Sequence, residues 1–173
     1  LPEVREAQAQ LAKAAGIEGF CYWHYWFAGR QFLERPFNEV LHSGSPDFPF
    51  CLAWANASWT GTWYGAADRI LVEQTYPGAD DHTAHFNALL PAFKDRRYIK
   101  VNGKPLFLVF QPSDIDRQTI DLWKELALSC NLPGLFFTGV VKNDQEAETI
   151  RRNGFNAATI SRTNGRGTSL PIL

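Results

Sequence analysis

Phe48 to Asn56 reads FPFCLAWAN, with large Phe48, Phe50, Leu52 and Trp54 alternating with the smaller Pro49, Cys51, Ala53 and Ala55. Side chains alternate across a strand, so the two faces of this segment meet different neighbours, and neither neighbour is water. The segment is therefore expected to be a buried strand. Its last residues run into CLAWANASWTGTWYG (Cys51 to Gly65), which places Trp54, Trp59 and Trp63 where that strand ends.

The same kind of strand recurs on both sides. Gly19 to Trp26 (GFCYWHYW) is short and dense in aromatics, which suits a strand better than a helix. Leu106 to Gln111 (LFLVFQ), between Pro105 and Pro112, and Leu135 to Val141 (LFFTGVV), after Pro133 and Gly134, are continuous apolar runs. Phe155 to Ser161 is a last strand, and Ile70 to Gln74 a shorter one. Helical stripes fall between them. Glu3 to Ala15 has Pro2 in its first turn and Gly16 as its stop. Phe32 to His42 is a short helix interrupted near its start by Pro36, and Asp80 to Phe93 is a helix capped by Asp80 or Asp81. Asp116 to Cys130 and Asp144 to Asn153 supply two more. Strands alternating with helices imply parallel pairing through right-handed crossovers, hence an α/β fold in one domain over residues 1–173. Length alone favours an open doubly wound sheet, because a closed (β/α)8 barrel usually needs about 250 residues.

Composition narrows the functional classes. The 173 residues are 45% hydrophobic and 14% aromatic, enough for one packed domain. A net charge of −1, with the 17 basic residues scattered, leaves no footprint for nucleic acid or an anionic membrane. No apolar run approaches the roughly 18 residues of a membrane span, and LPEVREAQAQ reads as a capped helix rather than a signal peptide. A soluble, cytoplasmic protein is expected. The 3 cysteines form no CxxC pair, so buried free thiols are expected. The absence of methionine suggests a piece of a longer protein.

In α/β folds ligands gather at the carboxyl ends of the strands. Those ends carry His24, Tyr25 and Trp26; Trp54, Asn56, Trp59 and Trp63; Glu73 and Gln74; Gln111; and Lys142 and Asn143. Indole faces cover the C–H side of a sugar ring while amides, His and Tyr bond its hydroxyls, so the inventory fits carbohydrate. No GxGxxG or Walker-type loop opens a helix, and no nucleotide cofactor is expected. Trp54 reads equally as core; Trp59 and Trp63, among Ser58, Thr60, Gly61 and Thr62, are expected to face a cleft, and Trp123 to pack. The histidines of DDHTAH (Asp80 to His85) have no third ligand motif and read as a solvated helix start, so no metal is expected. Asn56-Ala57-Ser58 matches a glycosylation sequon but sits at a strand end beside indoles, a poor surface loop.

GFCYWHYWF, DFPFCLAWAN with its tryptophan loop, ILVEQTY and LLPAFKDRRYIKVNGKPLFLVFQP, in that order, resemble the WbsX-type proteins, the glycoside hydrolase family 99-like group found with polysaccharide biosynthesis. The resemblance runs from about Leu1 to Pro112. It implies a (β/α)8 TIM-barrel fold of which this chain lacks the first strand and the last units, and a glycan as substrate. The family's tryptophan segment usually reads W-A-N-E-N-W; here those positions are Trp54, Ala55, Asn56, Ala57, Ser58 and Trp59, so the acid is absent. Gly61, Thr62 and Tyr64 depart as well, where basic residues and an acid are common.

Glycoside cleavage needs two carboxyl groups flanking the bond. Glu73, after apolar Ile70, Leu71 and Val72, is the best candidate acid, with partial burial expected to raise its pKa; the alternative is a salt-bridged carboxylate. His24 reads equally as a structural histidine or a substrate contact, and Gln111 as a hydroxyl ligand or a strand cap. A carbohydrate-active enzyme, by hydrolysis or transglycosylation, is the first expectation. A non-catalytic sugar-binding barrel or a glycosyltransferase of polysaccharide biosynthesis is the alternative, and an open-sheet domain with no sugar role the third. Exposed sheet edges on an incomplete barrel leave self-association open.

Overall fold

The computed structural model of the chain describes residues 1–160, apart from the side chain of Trp63. In chain order the elements are α1 (Pro2–Ala14), β1 (Phe20–Phe27), β2 (Arg30–Phe32), α2 (Arg35–Ser43), β3 (Phe50–Trp54), β4 (Trp59–Gly61) and β5 (Ala66–Val72). They continue with α3 (Ala79–Lys94), β6 (Lys100–Val101), β7 (Lys104–Val109), α4 (Arg117–Ser129), β8 (Phe136–Val141), α5 (Asp144–Arg152) and β9 (Ala157–Ile160). None of these helices is long and apolar enough to cross a membrane.

Strands β1, β3, β7, β8 and β9 pair in parallel, each beside the next along the chain. A doubly wound sheet reverses its order at a switch point. This one does not, so the arrangement suggested by length alone gives way to a sheet wound in one direction. Parallel register places Tyr22, Leu52, Phe107 and Phe137 side by side on one face. That face carries all the crossover helices. Phe37 of α2 packs on Tyr22 and Phe50, Phe93 of α3 on Phe107, and Trp123 of α4 on Phe107 and Phe137. On the same face a Cβ at Gly139 would lie 2.4 Å from Ile150 of α5, so this close approach admits only glycine. The opposite face is apolar and partly bare: Trp23 is 39% exposed and Phe110, edge-on to it, 41%.

The buried strands and the amphipathic helices fall where the sequence places them, and Trp123 packs as expected. Four readings change. Phe32 to His42 is not one interrupted helix: Arg30–Phe32 turns back as β2, antiparallel to β1, and α2 starts at Arg35 with Pro36 in the first turn, where its missing N–H costs nothing. Neither Asp80 nor Asp81 caps α3; the cap is Gly78, whose φ of 118° suits glycine, and both acids lie in the first turn. Asn143 is a helix cap rather than a ligand group, accepting from Glu146 N. The strand expected at Ile70 to Gln74 is β5, and it pairs with β4 in a separate two-stranded hairpin instead of joining the parallel sheet. Of the last expected strand, Ser161 lies outside the described residues.

Candidate functional site

The hairpin β4–β5 is inserted between β3 and α3, so it stands at the carboxyl ends of the parallel strands. Asn56, the first polar group after β3, is completely buried. Its Oδ1 accepts from Gln111 N at 2.7 Å, and its Nδ2 donates to Gln111 O at 2.8 Å and to the Tyr76 hydroxyl at 3.0 Å. Asn56 thus joins the ends of β3 and β7 and spends both of its side-chain N–H donors on protein partners. Two residues on, Ser58 Oγ accepts from Gln74 N at 2.9 Å. This bond fastens the loop carrying Ala57 to the hairpin end carrying Glu73.

Trp59 is half-buried among Tyr25, Phe27 and Phe32, with ring centroids 5.3, 5.4 and 5.4 Å away. Beside this cluster a cleft of about 420 Å³ is lined by Phe27, Arg30, Phe32, Leu71, Val72 and Glu73 among others. The Arg30 guanidinium lies over the Phe32 ring at 5.0 Å, so the cleft offers one cation and one carboxylate over aromatic surface. Such a surface can take the C–H face of a sugar and bond its hydroxyls from the rim.

The residues expected at the strand ends divide between the two faces. Tyr25, Trp59, Glu73 and Gln111 lie at the rim, and Tyr25 meets Trp59 directly. His24, Trp26 and Trp54 lie beneath it, in the helix-covered core. Alternation along β1 separates them: Tyr25 faces the hairpin, so His24 and Trp26 must face α3. Trp54 is 2% exposed and donates to Trp26 O, which makes it core. Asn56 is held entirely by protein, Gln111 contributes its backbone to Asn56 and leaves its side chain exposed, and the Trp63 side chain lies outside the described residues. Glu73 is exposed rather than partly buried, because β5 stands off the main sheet. Phe27, Arg30 and Phe32 were not among the expected site residues; they reach the cleft because β2 folds back along β1.

His82 and His85 do not form a solvated helix start. They are 5% and 0% exposed, on a stripe that continues through Leu89 and Phe93, the one signal by which the sequence announces them. His85 Nε2 lies 2.8 Å from His24 Nε2, a hydrogen bond that requires one ring to donate and the other to accept. Trp26 stacks on His85 at 4.7 Å and donates its indole N–H to both Asp81 carboxylate oxygens at 3.2 Å. Burial lowers the His24 pKa from 6.5 to about 4, and burial, with the neighbouring His24 and His82, also lowers that of His85 well below the ordinary value.

Both rings fold as neutral groups, whereas the unfolded chain takes up protons near pH 6.5. The stability this contributes is therefore complete above about pH 6.5 and lost as the pH falls toward 4, about 3 kcal/mol for His24 alone. The arginine-paired carboxyls of Glu39 and Asp95 are held below their ordinary values and lose their contribution only at lower pH. Urea unfolding at pH 7 and pH 4.5 checks this. Equal midpoints at the two pH values would show that the histidine pair is not buried neutral.

This α/β fold, a parallel sheet wound in one direction with helices on one face, is similar to that of solved glycoside hydrolase structures. The solved endo-alpha-mannosidase of glycoside hydrolase family 99 from Bacteroides thetaiotaomicron matches with a TM-score of 0.61 at 11% identity, over 92% of this chain and 43% of that one. A glycoside hydrolase-like protein matches with a TM-score of 0.52 at 12% identity, over 81% and 44%. The chain belongs to the family described as Glycosyltransferase WbsX, whose model matches residues 1–170. Among curated proteins it is 35% identical over 125 residues to the uncharacterized protein WxcX of Xanthomonas campestris pv. campestris, in strains B100 and ATCC 33913. That match covers 71% of this chain but 18% of WxcX, so the chain spans under a fifth of that relative.

Proposed function

We propose that residues 1–173 are part of a (β/α)8 barrel, lacking the first strand and the last units, and that it acts on a glycan at the hairpin cleft by hydrolysis or transglycosylation. The half-bare apolar face carrying Trp23 and Phe110 supports the barrel reading, since further strands would enclose it as a lumen. Until they do, β9 at the sheet's edge is also where a second copy would pair. The observation that supports the functional reading is the Ser58–Gln74 bond beside Trp59, which fastens the loop carrying Ala57 to the hairpin end carrying Glu73. In this reading Glu73 serves as one carboxyl group and chain beyond this segment supplies what else the reaction needs. Transfer, named in the family's description, differs from hydrolysis in that an acceptor hydroxyl replaces water.

A second reading, a barrel that binds sugar without cleaving it, is favoured by Ala57 itself and by the exposure of Glu73, which leaves that carboxyl in water. Both readings place the sugar on the Trp59 cluster. Trp59→Ala is therefore expected to weaken glycan binding by about tenfold, the loss of one aromatic face. Intrinsic tryptophan fluorescence titrated with oligosaccharides of the cognate polysaccharide reads it. Unchanged affinity in the variant would remove the sugar from this cleft.

A further inference from the structure

We infer that Cys21 and Cys51 form a redox-active dithiol, a modification site at which a small peroxide closes a reversible disulfide between β1 and β3. The site is separate from the hairpin cleft and stands or falls independently of the function proposed there.

Strand register brings the two thiols together. Cys21 and Cys51 are direct partners across the parallel pair β1–β3. Paired strands lie about 4.8 Å apart, within the roughly 4.4–6.8 Å that separates the Cα atoms of disulfide-linked cysteines. Tyr22 and Phe50 face the helix α2, so alternation along each strand sends both cysteine side chains out on the opposite, partly bare face, beside Trp23. There the Cys51 thiol donates a hydrogen bond to the Cys21 sulfur.

The pair is asymmetric in the way the chemistry needs. β3 lies between β1 and β7, and Cys51 is 4% exposed. β2 flanks β1 only from Tyr25 to Phe27, which leaves Cys21 exposed instead of buried as its sequence suggests. The bond from Cys51 lowers the Cys21 pKa below the ordinary thiol value, while the contact with Cys21 and burial raise that of Cys51. The attacking thiolate therefore forms at the accessible sulfur, with a resolving thiol directly beside it. Cys130 ends α4, on the helix-covered side of the sheet, and is remote from this pair.

With hydrogen peroxide as oxidant, the Cys21 thiolate attacks one peroxide oxygen. An S–O bond forms, the O–O bond breaks, and the departing hydroxide takes up the proton that Cys21 released, leaving Cys21 as a sulfenic acid and one water. The Cys51 sulfur then attacks the Cys21 sulfur. The S–S bond forms as the S–O bond breaks, and the hydroxide leaves with the Cys51 proton as a second water. Two thiols have lost two electrons and two protons, and the peroxide has been reduced to water.

The test is oxidation of the fully reduced protein with an equimolar amount of hydrogen peroxide, followed by thiol titration in denaturant and peptide mapping by mass spectrometry without reduction. Two of the three thiols are expected to be lost, with the Cys21 and Cys51 peptides linked within one chain, Cys130 unreacted, and both thiols restored by dithiothreitol. In the Cys51→Ala protein no linked peptide is expected, and dimedone traps Cys21 as its sulfenic acid. The map of the unaltered protein decides the matter even where that variant folds poorly. The proposal is overturned if Cys21 keeps its thiol, if it is oxidised without becoming linked to Cys51 of the same chain, or if Cys130 is oxidised as fast as Cys21.

Discussion

Ala57→Glu is expected to raise glycan turnover by about 10²- to 10⁴-fold, the range contributed by one well-placed general acid or base. Position 57 is half-buried between Asn56, which is locked to Gln111 and Tyr76, and Ser58, which is bonded to the hairpin end. A side chain there is held from both sides, so a carboxyl group would need little ordering. The Ser58–Gln74 bond ties the loop carrying position 57 to the hairpin end carrying Glu73, and glycoside cleavage uses two carboxyl groups flanking the bond. Partial burial at position 57 would favour the protonated form needed by an acid. The measurement is release of reducing ends from the cognate polysaccharide by the full-length protein, with Glu73→Gln in the Ala57→Glu background as control. If the two carboxyls act as a pair, the control removes the gain. A gain that survives Glu73→Gln assigns the second carboxyl to another residue. No gain at all, with binding retained, selects the sugar-binding reading.

The parts of the fold legible in the sequence are those with a strong local signal. Pro2 and Gly16 bracket α1, Asp116 caps α4, and the alternation of FPFCLAWAN sorts its large residues onto the helix-covered face. The short strands β2 and β4 span three residues each, too few to show a period, so the hairpin and its cleft were not legible. The division of the strand-end residues failed for a different reason. GFCYWHYW is aromatic on both faces, so nothing in its pattern says whether Tyr25 or Trp26 meets the helices. That is settled by the tertiary contact of Trp26 and His24 with His85, sixty-one residues from His24 in the chain. Glu73 shows the converse: an apolar Ile70-Leu71-Val72 stretch reads as buried, yet the hairpin carries it away from the sheet and leaves Ile70 and Leu71 half in water. The polar, glycine-containing surroundings of Trp59 suggested a cleft, whereas the structure packs its ring half-buried against Tyr25, Phe27 and Phe32.

Arg97→Met is expected to cost about 3–5 kcal/mol of folding stability while leaving glycan affinity unchanged. The Arg97 side chain is 3% exposed and pairs with Asp95 through two bonds, Nη2 to Oδ2 at 2.7 Å and Nε to Oδ1 at 3.0 Å. Its remaining N–H groups donate to Val40 O at 3.2 Å and Pro46 O at 3.1 Å, and the guanidinium lies 5.2 Å from the Phe50 ring centroid. One side chain thus ties the end of α2 and the loop before β3 to the turn after α3. Methionine keeps most of the stem's packing but strands a carboxylate and the carbonyls, and that loss of pairing dominates the cost. Asp95→Asn added to Arg97→Met removes the unpaired charge, so the double variant is expected to recover part of the loss. All of these contacts lie at the amino end of β3, while Asn56, Trp59 and Glu73 lie beyond its carboxyl end. In α/β folds ligands gather at the carboxyl ends of the strands, the end opposite these contacts. A lowered urea midpoint with an unaltered oligosaccharide titration in the folded range is the expected pair of results. A weakened titration in the folded protein would mean that the two ends of β3 are coupled, and that the rim depends on how the strand is anchored at its start.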